Sequence, residues 1–547
     1  MSKSSDPDPK VDKVPTPIVD ESEVEKLAEE DILREGIFTV HYPVCKPLLC
    51  EVSLTPTELI FEEYDESGYE SDCDALQERF PLEDIYGLHV VERQNEEPSL
   101  PSVYLCIIFY TSALESDDNR KRASRILEIS QSKELYLGNL EVAKDWSLDL
   151  EHLLKLKYPN LHNTPTVKSL PNRQSIEDIF NSLKTNGRVS DAGNGNTTQE
   201  ASKIDLDFCS GTFSLVQSIL FRRQLLVIVN PVSGQGKGEN LYKDQISPVF
   251  EDCGISVNVI TTEYSGHAAK FISAADLKKF DGIVAVGGDG LVNEVVNGLR
   301  TRSDSQQALH LPLGVVATGS GNGLARSIAS YYGESQGYRN NPVLYSALAV
   351  ARGCVSPVNL AEVSLDGRTS FSFLSVGWGL LSDIDIESEV LRAVGEVRFV
   401  IWSFVRLAKF RRYNAELSYI PNDASGSINS RVIINDEFVS VYSTCQSHIG
   451  SDMLFAKDAK PFDNTLHLTI LPSSTGRFAA ANFLFKLLRG YGQHTEVDPV
   501  KYVKVKEFTI RCKDKIQGTL TVDGEQVTGE EITVKLCDTP LYMYCME

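Results

Sequence analysis

The sequence predicts an α/β domain built on a parallel sheet, followed by a mainly β domain of sandwich type, with a β-rich module ahead of both. Three observations predict this. Between about residues 222 and 354, short apolar runs alternate with stretches of helical spacing, the pattern of a parallel sheet covered by helices. After about residue 355 the period turns strand-like and stays so nearly to the end. From about 35 to 137, short β-type runs are separated by turn-forming or charged stretches.

Residues 1–30 are rich in Ser, Pro, Asp and Glu and carry too few apolar side chains to offset the entropy of ordering them, so a disordered tail is expected. The module at 31–158 contains the runs GIFTVHY, LLCEVSL, ELIFEEY, IYGLHVV, VYLCIIFY and RILEIS, then LEVAKDWSLDLEHLLKL at 140–156 with helical spacing. Strands closed by one amphipathic helix resemble a pleckstrin-homology module, and an unrelated β-rich cap has the same pattern. Residues 159–221, with DAGNGNTTQ, read as a linker. The α/β domain at 222–354 opens with QLLVIVN and alternates through ISVNVITT, GIVAVG and LPLGVVA, with helices from about 267, 291 and 321. The β domain at 355–547 runs from NLAEVSL through an Asp366-Gly367 hairpin signal to ITVKL, interrupted by helical stretches near 385–412 and 476–490.

Composition excludes several functions. A net charge of -23 over 547 residues repels a nucleic-acid backbone, so nucleic acid is not an expected partner. The 11 cysteines lie scattered without a C-x-x-C pair, which fits neither a disulfide framework nor a zinc site and suits a reducing cytoplasm. The opening MSKSSDPDPK has no apolar stretch, no run reaches bilayer-spanning length, and neither a Met-Gly start nor a CaaX ending is present. A cytoplasmic protein is expected, and membrane contact then needs a local apolar or basic surface.

Three Gly-rich loops each follow an expected strand of the α/β domain: NPVSGQGKG at 230–238, GGDG at 287–290 and TGSGNG at 318–323. Loops at the carboxyl ends of parallel strands share one edge of the sheet, so the three can meet. Glycine lets backbone N–H groups approach phosphate oxygens, and the following helix supplies its positive end. A single such loop can equally be a plain turn; three in this order point to a bound nucleotide. There is no G-x-x-x-x-G-K-[ST], and the H-R-D and D-F-G elements of protein kinases are missing. Asp289, between two glycines at a strand end, suits the carboxylate that accepts a hydroxyl proton during phosphoryl transfer; it can also merely hydrogen-bond its own turn.

VNPVSGQGKG, GGDGLVNEVVNGL and TGSGNGLA resemble the diacylglycerol-kinase-type catalytic domain over roughly 220–365, with a further match to about 530. Within that superfamily, LLSDIDIESEVLRAVGEVRF at 380–399 and TVDGEQV at 521–527 resemble sphingosine kinases. The resemblance implies an α/β nucleotide-binding domain, a β-sandwich lipid-binding domain and an active site between them. It implies that ATP, accompanied by Mg2+, phosphorylates the primary hydroxyl of a sphingoid base. Asp289 then takes the hydroxyl proton, and Gly287, Gly288 and Gly290 form the substrate-contacting loop around it. The nucleotide is contacted by Asn230, Pro231 and Val232; by Thr262, Glu263, Tyr264, Ser265 and Gly266; by Glu294; and by Gly319, Ser320 and Gly321. Arg392 and Arg398 reach its phosphates, and Asp523, Gly524 and Glu525 contact it or its magnesium waters. The family usually has basic residues in the second stretch, which TEYSG lacks. Asp385 matches the acid that binds the lipid amine.

Elementary chemistry bears on these roles independently. An ammonium gives a carboxylate a charge-assisted hydrogen bond that ceramide or diacylglycerol cannot give, and arginines stabilise charge on a transferring phosphoryl group. Asp383, Asp385, Glu387 and Glu389 also read as helix-start acids, and Asp523-Gly524 as a hairpin turn. His267 reads as a capping or packing residue. Direct metal ligands are not assigned, since magnesium arriving with ATP keeps several waters. In VRFVIWSFVRLAKFRRY at 397–413, Arg398, Arg406, Lys409 and Arg412 share an arc of roughly 120°. That reads as a core helix with a solvated basic face, or as a docking surface for a membrane or a calmodulin-like partner. The competing activities are ceramide or diacylglycerol kinase, NAD kinase, which shares the G-G-D-G loop, and a non-catalytic lipid-binding scaffold.

Overall fold

The computed structural model describes residues 32–41, 48–63, 77–94, 103–112, 120–128, 143, 146, 149, 150, 153, 154, 212–218, 223–319, 321–394, 397–422, 431–513 and 518–546. The expected tail at 1–30 and most of the expected linker lie outside them. Two compact units divide the chain, with their main boundary at Leu220/Phe221.

The amino-terminal unit holds an eight-stranded sheet of β1 (Arg34–His41), β2 (Leu48–Leu54), β3 (Glu58–Glu63), β4 (Gln77–Pro81), β5 (Ile85–Gln94), β6 (Val103–Ser112), β7 (Arg120–Glu128) and β8 (Thr212–Ser218), in the order β4-β3-β2-β1-β7-β6-β5-β8. β8 lies inside the stretch read as a linker: TFSLVQS has a strand's alternation, and it pairs antiparallel with β5. The described helical residues Ala143, Trp146, Asp149, Leu150, Leu153 and Leu154 are all buried, at the three- and four-residue spacing of one helix face. Trp146 meets Phe38 of β1 edge-to-face at 5.4 Å, and Asp149 pairs with Arg34.

The second unit carries two sheets. The first contains β9 (Gln224–Val229), β10 (Ser256–Thr261), β11 (Gly282–Gly287), β12 (Leu313–Ala317), β13 (Cys354–Val358) and, from the far end of the chain, β24 (Leu541–Cys545), ordered β10-β9-β11-β12-β24-β13. β11 and β12 are buried along their whole length, which is why they read as unbroken apolar runs. The expectation of a parallel sheet is corrected at one edge, where β13 runs antiparallel to β24. The boundary expected at 354/355 is also crossed, because β24 returns from the carboxyl-terminal region to lie between β12 and β13.

The second sheet contains β14 (Ala361–Leu365), β15 (Arg368–Ser372), β16 (Ser375–Gly379), β17 (Tyr413–Pro421), β18 (Val432–Thr444), β19 (Leu466–Pro472), β20 (Lys501–Cys512), β21 (Leu520–Val522), β22 (Glu525–Val527) and β23 (Glu531–Leu536). Every pairing in it is antiparallel. Instead of the two separate sheets of a sandwich, the ten strands form one sheet that closes on itself, because β17 and β19 each pair with both β18 and β20. The length of β18 and β20 permits this: one end of β18 pairs with β17, and the other with β16 and β19. The enclosed core includes Trp378, Phe438, Leu468, Phe508 and Val534.

Seven helices matter below: α1 (His267–Ala274), α2 (Asp289–Arg300), α3 (Gly323–Tyr331), α4 (Pro342–Arg352), α5 (Leu380–Glu387), α6 (Val397–Ala408) and α7 (Arg477–Leu488). α6 corrects the reading of a solvated basic face in part: Lys409 and Arg412, just beyond its end, are exposed, but Arg398 and Arg406 are not. Arg406 is 2% exposed and Arg398 largely covered, while Val397, Val400, Ile401 and Phe404 face outward. Burial of Arg406 is possible because Asp383 pairs with it, Tyr413 Oη lies 2.7 Å from its guanidinium and Glu387 3.5 Å, so the charge is neutralised inside.

Candidate active site

Four loops leave the carboxyl ends of β10, β9, β11 and β12, which are neighbours in that order, so the Gly-rich segments share one edge of the sheet. Backbone hydrogen bonds lock them together. Asn230 N donates to Val286 O (3.0 Å), Gly319 N to Gly287 O (3.2 Å), and the hydroxyls of Ser233 and Thr318 lie 2.8 Å apart. Glycine is required where the second and third loops touch: a Cβ on Gly319 would lie 2.5 Å from Gly288 Cα.

Asp289 is the first residue of α2. One helix face, Leu291, Val292, Val295, Val296 and Leu299, is buried, and Gly288 enters with extended backbone that aims the Asp289 carboxylate into the loop cluster. There Oδ2 accepts from Gly323 N (2.7 Å) and Oδ1 from Leu324 N (3.3 Å), the first amides of α3. The amino-terminal ends of α2 and α3 therefore converge on one carboxylate. Burial raises its pKa to about 7; the two amides oppose the rise, and Asp523 adds to it. Gly321 lies beside it, since a Cβ there would be 3.8 Å from Asp289 Oδ2, whereas Ser320 lies outside the described residues.

The other expected nucleotide contacts fall at the same edge, with differing freedom. Asn230 Oδ1 accepts from Val232 N (3.1 Å), shaping a loop in which Val232 is 74% exposed. In the second loop, Thr262 N donates to Val229 O (2.8 Å), Ser265 is exposed, and Tyr264 stacks on His267 with ring centroids 4.8 Å apart. His267 Nδ1 accepts from Glu263 N (3.1 Å), a bond outside the helix, so of the expected capping or packing roles the residue takes the packing one, bracing the loop. Glu294 is committed to the protein: its carboxylate accepts from Gly266 N (2.8 Å) and Ala268 N (3.0 Å), which anchors the second loop to α2.

Across the cleft, the β21–β22 turn carries Asp523, Gly524 and Glu525. Glu525 Oε1 would lie 3.5 Å from a Cβ on Gly290, and Asp385 Oδ2 3.8 Å from a Cβ on Gly524, so the turn bridges the Asp289 loop and Asp385 on α5. Asp385 is half-buried; burial raises its pKa to about 6, Arg398 at 3.9 Å opposes this, and Glu389 and Glu525 add to it. Arg398 Nη1 is buried and has no hydrogen-bond partner among the described residues. Arg392 lies in the 3-10 stretch Ser388–Val394, and its side chain is outside what is described. Asp383, grouped with Asp385 in sequence, is instead 2% exposed and held by Arg406, Tyr413 Oη (2.6 Å) and Thr519 N (3.1 Å). The sequence reading missed Asn293 and the turn Ser372–Ser375, both of which bind Asp523. The only signal for Asn293 was an amide pair at i, i+4 amid the valines of α2. No group of three or more His, Cys, Asp or Glu suited to hold a metal ion occurs among the described residues.

Comparison with known proteins adds the following. The family "Diacylglycerol kinase catalytic domain" matches residues 224–363. "Sphingosine kinase 1" of Homo sapiens is 31% identical over 336 residues, covering 56% of this chain and 87% of that protein. "Sphingosine kinase 1" of Arabidopsis thaliana is 30% identical over 356 residues, covering 59% and 72%. Among solved structures, a putative diacylglycerol kinase from Bacillus anthracis str. Sterne aligns with TM-score 0.45 at 20% identity, over 60% of this chain and 98% of that one.

Proposed function

The chain belongs to the sphingosine kinase family, and on that premise we propose how its cleft performs ATP-dependent phosphorylation of a sphingoid base. It is a lipid kinase. The observation that carries the site assignment is the meeting of the second and third Gly-rich loops and two helix amino termini on the buried Asp289, with the first loop joined to the third through Ser233 and Thr318 and a second acid, Asp385, across the turn at Gly524. The loop glycines and helix ends receive the ATP phosphates, and Arg398 keeps an unused Nη1 for them. Asp385 receives the ammonium of the sphingoid base, which turns its primary hydroxyl toward Asp289.

In the reaction the hydroxyl oxygen forms a bond to the γ-phosphorus as the bond between that phosphorus and the β,γ-bridging oxygen breaks. The electron pair leaves with ADP, and the hydroxyl proton passes to Asp289. A carboxylate with a pKa near 7 suits this step, being both substantially ionised and basic enough to hold the proton. Magnesium enters as part of the substrate MgATP, because the donor set described above forms no resident cage; when bound, it neutralises phosphate charge.

Transfer of radiolabelled phosphate from ATP to sphingosine, ceramide and diacylglycerol, compared side by side, tests the reading. Labelling of sphingosine alone is expected. Equal labelling of ceramide would remove Asp385 from the amine, and labelling of diacylglycerol alone would overturn the lipid assignment.

Access to the lipid is read from α6 and α7, which pack together and expose Phe404 (70%), Phe478 (95%), Ile401 and Phe485. Exposed aromatic and aliphatic side chains of this kind suit peripheral insertion into a bilayer surface. A calmodulin-like partner is less favoured, because Arg398 and Arg406 of the basic arc face inward. No helix among the described residues is long and apolar enough to cross a membrane. The amino-terminal unit, in which seven strands precede the helical residues 143–154 and an eighth strand follows them, is read as pleckstrin-homology-like.

A further inference from the structure

Asp523 belongs to a motif read either as a nucleotide contact or as a hairpin turn; Asp523 and Gly524 do form the two-residue turn of the β21–β22 hairpin, with φ of 49° and 82°, but the carboxylate's surroundings do not fit a nucleotide contact. The residue is 4% exposed, and five protein donors surround its carboxylate. Oδ1 accepts from Ser372 Oγ (2.6 Å), Leu374 N (3.0 Å) and Ser375 N (2.9 Å); Oδ2 accepts from Asn293 Nδ2 (2.9 Å) and Phe373 N (3.3 Å). A carboxylate has about four acceptor positions, so none is left for a nucleotide or a metal-bound water. None of these donors lies in the hairpin itself. One is on α2, and the other four lie in the β15–β16 turn, about 150 residues earlier in the chain.

The contact with α2 is part of a seam. Asp289, Asn293 and Asn297 occupy positions i, i+4 and i+8 of that helix, one face of it. Asn297 exchanges two hydrogen bonds with the backbone of Phe371 (3.1 and 2.9 Å), and its Nδ2 also reaches Asn293 Oδ1 (3.1 Å). Helix α2 follows β11 of the first sheet, whereas Phe371, Ser372–Ser375 and Asp523 belong to the second. The seam therefore joins the two sheets along the helix that begins with Asp289. We propose that Asp523 is a positioning residue for phosphoryl transfer: it ties α2 to the Ser372–Ser375 turn, holds Asp289 in the cleft beside a second buried carboxylate, and does not touch the nucleotide.

This inference rests on Asp289 being the base, and it makes the acidity of that base depend on Asp523. The charge of Asp523 raises the proton affinity of Asp289, as a smaller cause than burial. Two other titratable groups face the same region: the Tyr338 phenol, whose own pKa Asp289 helps to raise, and Glu525 beside Gly290. Substituting Asp523 alone leaves both in place.

The test uses the full chain with Asp523→Asn, Asn293→Ala and Asn297→Ala, measuring kcat, both Michaelis constants and the pH profile of kcat/KM for sphingosine. Asp523→Asn is expected to move the acid limb to lower pH by about half a unit or more, with the KM for ATP within about twofold of the parent. Asn293→Ala and Asn297→Ala, which leave the charge in place, are expected to lower kcat about 3–10-fold with both KM values unchanged. A KM for ATP raised about tenfold by Asp523→Asn with an unmoved acid limb would show a nucleotide contact and overturn the proposal. An unmoved limb with unchanged ATP binding overturns it too, leaving a fold-stabilising role only. If Asp523→Asn does not fold, the asparagine variants decide, and unchanged kcat in both sinks the seam. Asp289→Asn, assayed alongside, reports on the base itself: full turnover there removes the base reading without reference to Asp523.

Discussion

Replacing Asp289 by Asn separates what this carboxylate does for catalysis from what it costs the fold. Asn keeps the shape and one acceptor oxygen, which can remain on Gly323 N at 2.7 Å; the longer bond from Leu324 N, 3.3 Å, loses its partner. Loss of a positioned base lowers turnover by about 10²–10⁴-fold. Stability moves the other way, because burial lifts the carboxyl from 3.8 to about 7. At about 1.4 kcal/mol per pKa unit, ionised Asp289 costs the folded state about 4 kcal/mol at pH 8, where both states are charged. Near pH 5 the folded state keeps the proton that the unfolded chain has released, and the cost falls to about 1.6 kcal/mol. Below 3.8 both states are protonated and the cost vanishes. Asp289→Asn should therefore stabilise the protein at pH 8 by about 2–3 kcal/mol more than at pH 5, less about 1 kcal/mol at both for the lost acceptor. Denaturant unfolding at the two pH values, beside sphingosine kinase assays, measures both effects. A variant with near-normal turnover, or one whose stability relative to the parent does not change with pH, would refute the reasoning.

Asp385→Asn should weaken sphingosine binding by roughly 1.5–3 kcal/mol and leave the KM for ATP unchanged; an unaltered KM for sphingosine would reduce Asp385 to a helix-start acid. In the parent, sphingosine affinity should fall as pH drops through about 6, where Asp385 gains its proton. Arg398→Ala should raise the KM for ATP and move that loss of lipid affinity to higher pH, since the guanidinium opposes protonation of Asp385; a pH profile identical to the parent's counts against the pairing. Arg406→Ala leaves Asp383 buried without its cation and should cost about 3–5 kcal/mol in urea unfolding, against under about 1 kcal/mol for a surface arginine. Phe404→Glu and Phe478→Glu should reduce sedimentation with lipid vesicles while sparing activity on detergent-dispersed sphingosine; undiminished vesicle binding would place membrane contact elsewhere.

Much of the cleft was legible before any coordinates. A buried parallel strand announces itself as an unbroken apolar run, and a glycine-rich turn before a helical period marks where that strand ends, so GIVAVGGDG located Asp289 at the working edge of a sheet. Both signals are local: they depend on residues within a few positions of one another. Partners far apart in sequence were not legible. Nothing near Asp523 announced that Ser372–Ser375 and Asn293 would saturate it, and nothing near Glu294 announced that it would cap α1. Helix 397–413 was read with its basic arc outward because charged side chains are ordinarily solvated; Lys409 and Arg412 are exposed, but Asp383 and Tyr413 turned Arg406 inward by neutralising it. In the same way β24, which looks in sequence like one more strand of the β domain, completes the first sheet, because an antiparallel partner for β13 was available there. The amino-acid sequence by itself determined the elements, the phosphate-type loops and the acid at their centre. Only tertiary structure decided which acids stay free for substrates and which are spent on the protein, because that choice depends on the donors that long-range packing brings to each buried oxygen.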